Sequence, residues 1–228
     1  MSVPMPATGD QPPAKLCDAN DLVLAHQSFR RLYALAPDAV RHADADDRRR
    51  IDSIAKNVAL INDALHHHHR FEDDYLWDTL EGRRPACALH VAAMKRDHAD
   101  VAHLLDDAPQ LIEAWRRAPG PDTATALGDK LDDIARVLGA HLNAEEEHIV
   151  PVIEEVITAT EWEEMGEVVQ KTYHRSQIFM FYGLILEVMS PAERAELEKE
   201  VPLPIKVLYA LVGRRQYARI MHDLRPTR

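Results

Sequence analysis

The chain has 228 residues and a mass of 25.8 kDa, enough for one large domain or a core domain with an appendage. With 46% hydrophobic and 29% charged residues, wholesale disorder is excluded, and only 8 Gly disfavours a sandwich or barrel, whose turns need glycine far more often. A net charge of −11 argues against nucleic acid or an anionic membrane surface as partner.

Four of the 14 prolines fall within the first 13 residues, so residues 1–15 read as a disordered lead. A first helix, capped by Asp18 or Asn20, should run through LVLAHQSFRRLYAL and stop at Pro37. A second is expected over about 46–80, a third over about 86–117 with a break or kink at Pro109, and a fourth over about 122–157 with a kink at Pro151. Thr160-x-x-Glu163 and Ser190-x-x-Glu193 are capping-box sequences that predict two further helices, and Pro202 and Pro204 introduce a last one. The expected fold is all-α: an antiparallel four-helix bundle over residues 16–158, followed by a C-terminal helical extension over 159–228 packing on it.

The extension holds two apolar runs, IFMFYGLIL and VLYALV, which should pack on the bundle or make a subunit contact, so a homodimer through the extension is anticipated. Arg214, Arg215 and Arg219 read as a solvated helix face. The longest apolar run, 178–186, is half the length of a membrane span, and MSVPMPATGD lacks the regions of a signal peptide. No membrane partner and a cytoplasmic location are expected. Cys17 and Cys87 have no CxxC spacing and suit a reducing compartment.

Thirteen histidines are the outlier in this composition. His68-x-x-x-Glu72 and His141-x-x-x-Glu145 each place an imidazole and a carboxylate one helical turn apart. At about 100° per residue, Ile61, Leu65, His68, Glu72, Tyr75, Leu76 and Thr79 share one stripe, and Ile134, Leu138, His141, Glu145, Ile149 and Val152 share another. Both pairs therefore project from apolar faces, where an ionised carboxylate is costly unless paired or metal-bound. His26, with Leu22, Val23, Phe29 and Tyr33, and His98, with Val91, Met94, Ala102 and Leu105, supply one imidazole from each remaining helix. Four imidazoles and two carboxylates facing one core suit two iron or manganese ions.

The register His69-x-x-x-Asp73 points away from that stripe, so His69 and Asp73 read as outer-face groups or as groups that orient a ligand. His148 shares the inner face of the fourth helix as a supporting group, while His42, His66, His67, His90, His103 and His222 have no register and default to the surface or to caps.

In the order H…HxxxE…H…HxxxE, the stretches LVLAHQSFRRLY, HHHHRFEDDYLW, MKRDHADVAHLL and HLNAEEEHIVPVI resemble the haemerythrin-like (HHE cation-binding) family over about residues 16–158. TATEWEEMG through GRRQYARI looks like the extension of a longer, actinobacterial-type subgroup. The resemblance implies a non-haem di-iron centre held by His26, His68, Glu72, His98, His141 and Glu145, with both carboxylates and an oxo or hydroxo group as bridges. It also implies a small ligand: oxygen, hydrogen peroxide or nitric oxide. Asp78 replaces the proline that often follows LW in the family, and Ala102 stands where oxygen-carrying relatives have a further histidine. Two octahedral metals offer about twelve positions, and this set leaves two of them for water or ligand unless Tyr33 or another side chain fills one. His174 and Tyr173 are further candidates to cover one end of the site, with a surface role as the alternative.

Two other readings compete. A ferritin-like iron oxidase would use Glu-x-x-His pairs, matched once by Glu145-x-x-His148. A metal-free helical interaction module would use the core histidines only as hydrogen-bonding groups.

Overall fold

Amphipathic periodicity is realised as helix throughout the computed structural model, which describes residues 15–201 and 203–225. Among these residues there is no strand, only an isolated antiparallel bridge between Leu16 and Thr158. The expected lead lies outside the described residues except for Lys15, and so does Pro202.

Four rods form the bundle. The first is α1 (Asn20–Arg41). The second is α2 (Arg48–Phe71), continued through a wide π turn (Glu72–Leu76) into α3 (Trp77–Arg83). The third joins α4 (Ala88–Asp106) to α5 (Ala108–Arg117), and the fourth joins α6 (Pro121–His148) to α7 (Val150–Val156). α6 packs along α1 and α4, and α2 packs against α1, α4 and α5. Pro109 and Pro151 each occupy a first turn, where a missing N–H costs nothing, so they mark joints between helices.

Two expectations are corrected here. α1 does not stop at Pro37, because the next turn buries Ala39 and Val40 and that packing outweighs the one donor the proline removes. The capping box that opens α8 (Ala159–Thr172) is Thr158-x-x-Glu161 and not Thr160-x-x-Glu163. Backbone pairing of residues 15–17 with 157–159 fixes Thr158 in extended geometry, the conformation of a cap residue.

The extension continues as α9 (Arg175–Val188), α10 (Pro191–Glu200), α11 (Leu203–Leu208), a second π turn (Tyr209–Gly213) and α12 (Arg214–Leu224). α9 carries the first apolar run and buries Phe179, Met180 and Leu184; it lies on α1 and α2 and is flanked by α12. At Gly183 the ring of Tyr217 occupies the space a Cβ would fill, so glycine permits the close approach of α9 and α12. The second run stays largely outside, with Val207, Leu208, Leu211 and Val212 exposed, as are Leu203 and Ile205 just before it. Arg214, Arg215 and Arg219 are exposed as well.

Buried apolar residues form two clusters. The larger includes Phe29, Leu32, Leu65, Val101, Leu138 and Leu142. The smaller includes Leu22, Leu76, Trp77, Met94, Ile149 and Ile153. Along each rod the switch from one cluster to the other falls at the same level, and the polar residues occupy that level: His26 between Leu22 and Phe29, His68 and Glu72 between Leu65 and Leu76, His98 between Met94 and Val101, His141 and Glu145 between Leu138 and Ile149.

Candidate metal centre

All six residues singled out by spacing meet in this layer, and all are buried: Glu72 and Glu145 are 0% exposed, and His68, the most exposed of the set, is 6% exposed. Glu72 Oε1 lies 3.3 Å from His68 Nε2, and its Oε2 lies 3.4 Å from His98 Nε2 on another helix. Glu145 Oε2 is 3.5 Å from both His26 Nε2 and His141 Nε2. Each carboxylate thus reaches imidazoles on two rods. His98 Nε2 and His141 Nε2 are 3.2 Å apart.

Outside this ring, carboxylates hold the imidazoles by their other nitrogens. His26 Nδ1 is 2.9 Å from Glu146 Oε1, which also accepts from Arg30 Nη1 at 2.7 Å. His98 Nδ1 is 2.8 Å from Asp73 Oδ1, which accepts from Trp77 Nε1 at the same distance. His141 Nδ1 faces Asp97 Oδ2 at 3.7 Å, beyond hydrogen-bond range. Such pairs fix which ring nitrogen carries the proton and leave Nε2 as the inward lone pair.

Electrostatics follow the burial. Desolvation, reinforced by the neighbouring imidazoles, pushes His68 and His69 well below the usual histidine range and His141 down to about 3. Desolvation pushes Glu72 well up, with the Glu145 charge adding to it, and pushes Glu145 up despite His26 and His98. Glu146 and Asp73 behave in the opposite way: burial would raise them, but hydrogen bonds from His26 and Arg30 bring Glu146 to about 2, and those from His98 and Trp77 hold Asp73 low.

His69 does not point outward, contrary to the register argument. It is 5% exposed, its ring stacks on His98 at 4.1 Å, and it meets His141 edge-on at 5.1 Å. The inward arc of a bundle helix is wide enough to hold two residues 100° apart. His68 therefore turns toward His26 and Phe29, and His69 toward α4 and α6. Tyr75 also departs from its stripe and is exposed, because the π turn adds a residue and returns Leu76 and Trp77 to the core. Asp73 takes the orienting role anticipated for it.

His148 lies away from the ring, half-buried against His90. Tyr33 is buried, but its hydroxyl donates to Asn62 Oδ1 at 2.8 Å. His174 is exposed and caps α9, and Tyr173 donates to the Ala64 carbonyl.

Among the described residues, ten buried side-chain nitrogen and oxygen atoms have no hydrogen-bond partner, and eight of them belong to His26, His68, His69, Glu72, His141 and Glu145. Concentrated orphan atoms of this kind are costly in a protein interior. Nitrogen and carboxylate oxygen without thiolate is a donor set for first-row divalent cations, so the residues fit such an ion. Two groups have ligand atoms within 4.8 Å of one another: His26, His68, Glu72 and Glu145, and His69, His98 and His141. Beside the first, an apolar cavity of about 320 Å³ has His68 in its lining, with Leu22 and Phe71 from the bundle and Trp162, Tyr173 and Phe181 from the extension.

A four-helix bundle carrying a His/Glu cluster and an adjoining cluster of three histidines in its core has the donor set of a cation-binding bundle. The haemerythrin HHE cation-binding domain model matches residues 18–153, which contain all six residues, and the chain belongs to that family. Comparison with curated proteins and with solved structures gives no significant match.

Proposed function

We propose that the buried layer holds two iron ions, with His26, His68, His98 and His141 as imidazole ligands and Glu72 and Glu145 shared between the metals, and that the loaded centre binds or turns over oxygen, hydrogen peroxide or nitric oxide. The observation that carries this reading is the span of the two carboxylates, each within 3.5 Å of imidazoles on two different rods. Bound iron would supply the redox chemistry. The chain's own residues orient His26 and His98 through Glu146 and Asp73, flank the layer with two apolar clusters, and leave the largely apolar cavity beside His68 as an approach for a small, weakly polar ligand.

The alternatives lack comparable support. His148 stands outside the ring, so an oxidase built on Glu145-x-x-His148 loses its histidine. Eight orphan atoms in one layer disfavour a module whose histidines only hydrogen-bond.

The deciding experiment measures iron in the purified chain and then exposes the reduced protein separately to oxygen, peroxide and nitric oxide while recording spectra. Two ions per chain and a spectral response to at least one ligand are expected. One ion, or zinc alone after expression with iron supplied, overturns the reading.

The proposal includes a cytoplasmic setting, to which the free, buried Cys17 and Cys87 are suited, and a second copy of the chain as partner over the exposed aliphatic face of residues 203–212. No helix among the described residues is long and apolar enough to cross a membrane. Sedimentation should show a dimer that Leu203→Glu combined with Leu211→Glu dissociates; a parent that sediments as a monomer removes the dimer from the proposal.

A further inference from the structure

His69 is left over from the ligand set above, yet nothing about its surroundings suits a bystander. Its Nε2 is screened from solvent and has no hydrogen-bond partner, and one ligand nitrogen from each of His69, His98 and His141 falls inside a 4.8 Å cluster. A core imidazole retained for packing would turn a nitrogen toward a carbonyl or carboxylate, as His26 and His98 do. His69 instead offers a ring nitrogen within 4.8 Å of one nitrogen from each of two imidazoles, and its ring stacks on one of them.

The position that lacks histidine faces elsewhere. Ala102, one turn beyond His98, is half-buried and lines a hollow with Asn62, Asp63 and His66.

We infer that His69 is the third imidazole ligand of the cation held by His98 and His141, so that α2 supplies two adjacent ligands, one to each metal. This rests on the two-metal reading proposed above. The centre then takes five imidazoles and two shared carboxylates, and its halves are unequal. Three imidazoles would hold the ion of the His69 half, where the carboxylates could also reach it, against two imidazoles in the His26–His68 half. The His26–His68 half keeps the one position open to an incoming ligand, and it is this half whose His68 borders the apolar cavity. The count of two open positions expected from sequence falls to one.

The test uses the full chain, stripped of metal and reloaded anaerobically with ferrous iron, and reads metal affinity against a chelator and the Mössbauer spectrum. His69→Phe keeps an aromatic ring against His98 but cannot ligate, and His69→Gln keeps polarity; His66→Ala is the control. The parent should hold two inequivalent ions. Both His69 variants should keep one and bind the second at least about 10-fold more weakly, on the scale of ligand-shell substitutions, and His66→Ala should match the parent. A parent with two ions alongside a His69→Phe variant that holds both as tightly overturns the assignment of His69 alone. A parent that takes up no pair of ions overturns the two-metal reading, and the assignment with it. Should neither variant fold, the unmutated chain decides: loaded with cadmium and carrying isotope-labelled histidine, it should show five ring nitrogens coupled to the metal, and four would refute the inference.

Discussion

At the scale of single residues, the layer's chemistry predicts how substitutions divide. Glu72→Ala or Glu145→Ala removes a carboxylate that faces imidazoles on two rods, so the iron content of either variant should fall to about one ion per chain or below. Asp73→Asn weakens the hold on His98 without touching the six proposed ligands, and should lower affinity about 10–100-fold in a chelator competition while both ions of the proposed centre still bind at saturation. The pH response of the metal-stripped chain follows from opposed shifts. His68, His69 and His141 are depressed from 6.5, His141 to about 3. As pH falls below 6.5 the unfolded chain takes up protons that the folded chain refuses, and stability is lost through that window. Glu72 and Glu145 are raised above 4.5, so the stability they contribute is complete below 4.5 and is lost as pH rises through their folded values. Melting temperature without metal should therefore peak on the acid side of neutrality, and added ferrous iron should move the peak upward, because the cation takes the carboxylates ionised; an unchanged peak would contradict the assignment. The meeting of the six residues in one layer was legible in sequence because imidazole and carboxylate at i and i+4 on an apolar stripe, as at His68/Glu72 and His141/Glu145, have few other uses, and because His26 and His98 lie on apolar faces of the other two rods. His69 was not, because a single stripe angle treats the inward arc as narrower than it is in a bundle.

Among the elements, the rods were readable from their apolar periodicity and their proline joints, whereas the π turn at Glu72–Leu76 was not. Its residues, EDDYL, carry no signature that separates a wide turn from an ordinary one; the burial of both Leu76 and Trp77 after Glu72 is what the wide turn accommodates. The choice between overlapping Thr-x-x-Glu boxes at 158 and 160 likewise depended on a partner distant in sequence, the backbone at Leu16. In the extension, the tight seam between α9 and α12 gives a clean test. Gly183→Ala places a methyl group in the space of the Tyr217 ring and should cost about 1–3 kcal/mol by overpacking in denaturant unfolding. Its iron content should equal the parent's, since the seam lies outside the histidine and glutamate layer; loss of iron would show that the extension and the proposed centre are coupled.

For the molecule as a whole, the extension is part of the core. Met180, Leu184, Tyr217, Ile220 and Leu224 belong to the same buried cluster as Phe29 and Leu65, and Phe181 packs edge-on against Phe29 at 4.9 Å. Ending the chain after Thr158 should expose that surface and yield an aggregating product; a soluble fragment as stable as the full chain would refute this. The neck of the bundle behaves differently. Cys17 donates its N–H to the Ile157 carbonyl at 3.0 Å, and Ala159 donates to the Lys15 carbonyl at 2.8 Å, so the chain enters and leaves the bundle at one corner. Mechanically this is a loop closed by a clip. Tension applied between residues 15 and 159 would load two backbone hydrogen bonds before it reached any of the rods, and the histidine layer would feel little of a pull exerted on either strand of the neck.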